Sequence, residues 1–208
     1  MATAHDPKTS SRSHRSGQGR PRPPRRVRWS REQYYRLAEL GFFGRRRVEL
    51  LLGEVWETMT TYAPHSRSSE LVDMAIRPAF GVGYRFRIQQ PLDLGRRSQP
   101  EPDFAVLRGS PRDGPGHPTS ALLIIEISDS TLRKDRSLKV HVYAQAGLPD
   151  YWLLNLVDRQ LEIYRNPGPD PARKGRFTYA DVTIVPADGH ASPLAAPGAR
   201  IAVADLLP

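Results

Sequence analysis

The 208-residue chain has no cysteine, which excludes disulfides and thiolate metal sites. It has no apolar run near the roughly 18 residues of a membrane span. Its N-terminus lacks the apolar segment of a secretory signal. The expectation is a soluble, cytoplasmic protein with no membrane partner. Lysine is also scarce: only Lys8, Lys134, Lys139 and Lys174 stand against 27 arginines. Turn formers are not scarce. Twenty prolines and 16 glycines imply many turns or a disordered part, while a hydrophobic fraction of 38% can support a core. The length fits one domain with tails.

The net charge of +9 is unevenly placed. Residues 1–28 hold eight basic residues against one acid, Asp6, whereas the rest of the chain carries only +2. The segment is rich in Ser, Pro, Gly and Arg, cannot bury a core, and reads as a disordered basic tail before a domain at 29–208. Such a tail can hold nucleic acid nonspecifically through counterion release, or simply aid solubility.

From Trp29 the pattern becomes that of a folded domain. Ser30 and Gln33 form a capping-box signature at the start of "SREQYYRLAEL", and Gly41 is a natural stop. "RVELLLGEVWETM" reads as a hairpin around Gly53. "PHSRSSELVDMAIRPAF" reads as a second helix with Leu71, Met74 and Ala75 on one face. "YRFRIQQPLDL" alternates as a strand, and two apolar runs follow, "FAVL" and "ALLIIEIS". A third helix spans Asp135 to Ala146, with Leu138, Val142 and Tyr143 on a shared face. "YWLLNLV" and "QLEIYRN" form a strand pair around Asp158-Arg159, and "FTYADVTIV" is a last strand. Irregular alternation of this kind predicts an α/β or α+β domain with a central mixed sheet flanked by helices.

Each of the two apolar runs carries a carboxylate where a strand's core belongs. Asp103 opens Phe-Ala-Val-Leu, and Glu126 closes Leu-Leu-Ile-Ile. An ionised Glu126 in a buried strand costs several kcal/mol unless it is paired. Taken singly, Asp103 can cap a turn and Glu126 can pair with an arginine. If the strands are neighbours, the two acids lie side by side, and hard oxygen donors suit Mg²⁺ or Mn²⁺.

Lys139 is the third element. In a chain so biased to arginine, a retained ammonium on a helix face can orient or deprotonate a water, which guanidinium does poorly. The alternative is a plain i,i+4 pair with Asp135, worth about 0.3–0.5 kcal/mol.

The order Pro-Asp, strand-end Glu and nearby Lys resembles the PD-(D/E)XK nuclease superfamily. The chain is most similar to its Uma-two family of restriction-endonuclease-like endonucleases. The likeness covers about Trp29 to the C-terminus, through "RVELLLGEVWETM", the His of "APHSR", "PEPDFAVL", "IEISDSTLRKDRSLKVHVYAQAGLPDYWLLN" and "PGARIAVADLLP". It implies a restriction-endonuclease-like core and Mg²⁺- or Mn²⁺-dependent hydrolysis of nucleic acid, with DNA as the expected substrate. Carried over, Asp103 and Glu126 are metal ligands, with the Ile127 carbonyl as a further one. The superfamily's usual lysine position, two after the Glu, is Ser128 here, so Lys139 takes that role and Lys134 is the runner-up. Glu54 resembles an additional acid from the N-terminal part. Glu49 is a second option for it, or a solvent-facing strand residue. His65 matches a His at the start of the second helix, and Glu101 is an auxiliary acid or a loop residue. The family usually has Asp before Gly53, where this chain has Leu52.

With the domain near neutral, Arg85, Arg87, Arg96 and Arg97 are the expected nucleic-acid contacts, together with the tail. A nuclease fold that only binds nucleic acid or protein is the competing expectation. The edge strand "FTYADVTIV" is where a homodimer would pair.

Overall fold

The computed structural model describes Met1 and residues 26–58 and 62–208. Nearly all of the basic tail therefore lies outside the described residues. Helix α1 (Arg31–Glu39) begins at the expected capping box: the Ser30 hydroxyl accepts from the Gln33 amide, and the Gln33 side chain accepts from the Ser30 amide. Strands β1 (Val48–Leu51) and β2 (Glu54–Glu57) form the hairpin. Its turn has Leu52 at φ 53° and Gly53 at φ 81°. Gly53 is required twice over, since a Cβ there would lie 2.9 Å from the Arg28 Cβ and 3.0 Å from the Trp29 carbonyl.

Helix α2 (Ala63–Ile76) precedes strands β3 (Tyr84–Ile88), β4 (Phe104–Arg108) and β5 (Leu123–Ser128). A helical run then passes from α3 (Leu132–Lys134) through a π-helical segment (Asp135–Lys139) into α4 (Val140–Gln145). Strands β6 (Asp150–Asn155), β7 (Gln160–Pro169) and β8 (Phe177–Pro186) follow. A short pair, β9 (His190–Ala191) with β10 (Ile201–Ala202), closes the chain.

The main sheet has the order β3-β4-β5-β6-β7-β8, and only β5 and β6 run parallel. A parallel pair cannot be joined by a tight turn, so the α3–α4 run crosses over between them. Strand β5 is buried along its whole length, as its run of apolar residues implies. On one face Ile125, Ile127, Trp152 and Leu154 pack with Val72 and Ile76 of α2 and with Leu206 near the C-terminus. On the other, Ile124, Leu153 and Tyr151 pack with Val140, Val142 and Tyr143. Fully burying a side chain of this size contributes about 1.5–3 kcal/mol. A small cluster of Tyr34, Phe43 and Leu50 seats α1 on the hairpin.

The face expected for α2 is corrected. Met74 is 72% exposed, and Ser68, Val72 and Ile76 are the buried positions. The two stripes lie one residue apart, and both carry helical spacing. The third helix also differs from expectation, because it begins earlier and contains the π segment.

Candidate active site

Strands β4 and β5 are antiparallel neighbours, with Phe104 opposite Ile125 and Ala105 opposite Ile124. Continuing that register puts Asp103 beside Glu126 at the end of the pair. The Asp103 carboxylate accepts from the Ile127 amide at 2.8 Å. Its other neighbour is His65 in the first turn of α2, whose Nε2 lies 3.2 Å from the same oxygen. Pro64 is the second residue of that helix, where a missing N–H costs nothing, and His65 follows it in the first turn.

Glu126 is 2% exposed. The Lys139 ammonium donates to its Oε2 at 2.8 Å, and the Tyr143 hydroxyl donates to its Oε1. Glu49 of β1 joins from the hairpin. Its Oε1 accepts from Lys134 at 3.0 Å and lies 3.9 Å from Lys139, while its Oε2 accepts from the Glu101 amide. Asp135 lies 3.9 Å from Lys139 and accepts from Thr131 at 2.6 Å. Ser128 is buried beside Thr131, 3.3 Å between hydroxyls, so the position next to Glu126 holds no charge and Lys139 fills the space from the helix.

The π segment makes this convergence possible. In an α-helix, residues five apart point about 140° away from each other. Here the Val140 amide reaches back five residues to the Asp135 carbonyl. That widened turn lets Lys134 and Lys139 approach the same Glu49 carboxylate.

Asp103, Glu126, Ile127, Lys139, Lys134, Glu49, His65 and Glu101 all line one pocket of about 100 Å³. Arg47 forms part of its wall and pairs with Glu101 at 3.2 Å. Glu54 does not belong here: it sits at the far end of the hairpin, 3.0 Å from Arg28 and 3.6 Å from Arg26. Glu49 faces the pocket instead, because α1 covers one side of β1 and the main sheet the other, leaving no solvent-facing side. Glu49 is 1% exposed, which rules out its solvent-facing alternative.

The expected nucleic-acid arginines also separate. Arg85 and Arg87 are half-buried and tie loops, donating to the Ser110 and Pro91 carbonyls. Arg96 and Arg97 are exposed and line a different groove. Tyr143 and Asp135 are the site residues that sequence reasoning missed. Their only signal was the four-residue spacing on either side of Lys139.

The electrostatics are uneven. Burial pushes the Glu126 carboxyl up to about 8; Lys139 opposes this, while the charges of Asp103, Asp135 and Glu49 add to it. Burial also works against a charged Glu49 and a charged Asp103. Glu49 is held below its ordinary value by Lys139 and Lys134, and Asp103 by His65 and Lys139. Burial opposes the charged forms of Lys139 and His65 as well. The surrounding acids keep Lys139 well above its usual value, and Asp103 raises His65. The cluster thus has more acid than its own cations can fully hold. Among the described residues, no group of three or more His, Cys, Asp or Glu side chains is arranged to hold an ion by itself.

A family model described as "Uma2: Putative restriction endonuclease" matches residues 31–204. Among solved structures, a protein from Anabaena variabilis ATCC 29413 described as "a putative nuclease belonging to DUF820" is similar, with a TM-score of 0.59. The two are 16% identical, and the match covers 84% of this chain and 95% of the other. At that identity the likeness is one of fold, and the mixed sheet with helices on both faces is the expected nuclease-like α+β core. No curated protein matches the chain. No helix among the described residues is long and apolar enough to cross a membrane.

Proposed function

This chain belongs to the Uma2 family, and from that premise we propose that it is a metal-dependent endonuclease hydrolysing phosphodiester bonds of nucleic acid, with DNA as substrate. The observation that carries the reading is the convergence of Asp103, Glu126 and Lys139 from β4, β5 and the π segment on one pocket. The donors there are hard oxygens: two carboxylates in neighbouring strands and the Ile127 carbonyl. Mg²⁺ commonly takes one or two carboxylates and leaves its other positions to water and phosphate, so Mg²⁺ or Mn²⁺ fits this set. When bound, such an ion polarises the phosphate and acidifies a water.

The chain's own residues do the rest. Asp103 and Glu126, on well-packed strands, would supply the negative charge to hold such an ion. His65 and the Ile127 amide fix one oxygen of Asp103. Tyr143 fixes one oxygen of Glu126. Lys139 stays protonated among the acids, orients the attacking water, and offsets charge that builds on the phosphate oxygens. Glu49 holds Lys139 from the hairpin side and also accepts from Lys134, as the additional acid from the N-terminal part that the resemblance had placed at Glu54.

One observation favours a second reading, a nuclease fold that binds nucleic acid or protein without turnover. The acid oxygens are already engaged by the chain's own cations. Incubation with plasmid or short duplex DNA and Mg²⁺ or Mn²⁺ separates the two. Cleavage that Asp103→Ala and Glu126→Ala both abolish supports the enzyme, and no cleavage with either ion supports the binder. A homodimer through the open edge of β8 belongs to the same proposal, and sedimentation velocity tests it.

A further inference from the structure

We infer that the groove lined by Arg28, Arg31, Arg96, Arg97 and Arg176 is a second contact site for a nucleic-acid phosphate backbone, one that sets affinity rather than turnover. The inference rests on the nuclease reading of the acid pocket and assigns a role to a separate surface. No residue lines both cavities. The groove is broad and open, about 1280 Å³, which suits a polymer lying along it rather than an enclosed small molecule.

Its charge is concentrated. Arg28 pairs with Glu54 at 3.0 Å and Arg31 with Asp93 at 3.4 Å. Arg96, Arg97 and Arg176 have no ion pair among the described residues. Three uncompensated guanidinium groups on one surface exceed the net charge of +2 carried by the whole of residues 29–208. Guanidinium is also the side chain that best matches phosphate, through paired N–H donors in a fixed fork.

The surface is built rather than loose. The Arg31 amide donates to the Arg96 carbonyl at 2.8 Å, and the Gly53 amide to the Arg97 carbonyl at 2.7 Å. Across the turn itself the Leu94 amide donates to the Ser98 carbonyl at 3.1 Å, and the Ser98 hydroxyl accepts from the Leu52 amide. Helix α1 and the hairpin thus pin the backbone of both arginines while their side chains remain exposed. Little backbone order is then lost when a ligand arrives.

The groove is also within reach of the acid pocket. Glu49 lines the pocket and Leu52 lines the groove, three residues further along the hairpin, at most about 10 Å. That span is about three phosphate steps of one strand in a duplex. A nucleic acid engaged at the acids can therefore extend over the arginines.

The test is fluorescence anisotropy of the full chain with a labelled 30-base-pair duplex, without divalent ion, as salt is raised. Cleavage with Mg²⁺ at saturating duplex is measured in parallel. The Arg96→Ala/Arg97→Ala/Arg176→Ala variant is expected to bind at least tenfold more weakly at 0.1 M salt. Its slope of log affinity against log salt should fall by about 2 to 3, as for three lost phosphate contacts, while saturated cleavage stays at the wild-type rate. The triple Arg→Lys variant should recover most of the slope. Wild-type affinity and slope in the alanine variant would overturn the groove and leave the nuclease reading intact. Loss of binding in that variant, with a wild-type protein that never cleaves, would keep the groove and remove the nuclease reading. Displacement of the duplex by poly-glutamate at matched charge would overturn the assignment to nucleic acid in favour of an acidic protein.

Discussion

Glu126 and Glu162 stand in the same cross-strand row of the sheet, separated by Leu153, and both are 2% exposed. Each has a tyrosine hydroxyl and a cation from the π segment, Lys139 for one and Arg136 for the other. Yet burial is outweighed at Glu162 and prevails at Glu126. Against burial, Glu162 is held below its ordinary value by hydrogen bonds from Arg136, Tyr164 and Asn155. The Arg136 Nε lies 3.0 and 3.1 Å from its two oxygens. Glu126 has one ammonium, shared with Glu49 and Asp135, and three acids around it. The first glutamate is a finished structural pair. The second belongs to a cluster with unspent affinity for positive charge, which is the electrostatic mark of a functional site.

The sharpest way to break this contrast is to neutralise each glutamate in turn. Glu126→Gln is expected to lower DNA cleavage by about 10²–10³-fold or more, while Glu162→Gln should stay within about threefold of wild type. Equal losses in a plasmid-nicking assay would erase the distinction. Exchanging the cations comes next. Lys139→Arg should cost about 10²-fold in rate, because a planar fork cannot replace a compact ammonium enclosed by acids. Arg136→Lys should leave the rate unchanged.

A smaller effect separates the pair by stability. Arg136→Lys loses the two-oxygen contact with Glu162, but Arg136 is 40% exposed and partly screened. A loss of about 1 kcal/mol in urea unfolding is expected, and an unmoved midpoint would contradict the structural role. The smallest effect is in pH. Glu162 has a depressed pKa in the folded protein, so its contribution is present above the ordinary value of 4.5 and is lost as pH falls through the lowered one. Glu162→Gln should flatten the acid limb of a melting-temperature profile. Glu126→Gln should leave that limb in place.

Much of this molecule was legible locally. The capping box at Ser30, the hairpin at Gly53, the strand pair around Asp158-Arg159 and the buried run ending at Glu126 each follow from neighbouring residues alone. So does the suspicion attached to Asp103 and Glu126, since a carboxylate inside an apolar run is anomalous without any partner in view. The choice between Glu49 and Glu54 could not be read that way. A lone hairpin exposes one side, and only the packing of α1 on one side of β1 and of the main sheet on the other covers both and turns Glu49 inward. The buried stripe of α2 was equally ambiguous, because Met74 and Val72 both satisfy a helical period and only the sheet decides between them.

Composition and spacing by themselves singled out the two strands, the two acids and Lys139, and the resemblance gave that lysine the role missing at Ser128. Tertiary structure decided how Lys139 reaches Glu126. It did so through a π turn, and the register of β4 on β5 set Asp103 beside Glu126, neither of which a periodic pattern encodes. It also parted the arginines, using Arg85 and Arg87 to tie loops and leaving Arg96 and Arg97 exposed on a pinned turn. The physical reason is the same in each case. Local rules act over a few residues, whereas a charge's role is set by which distant groups share its burial.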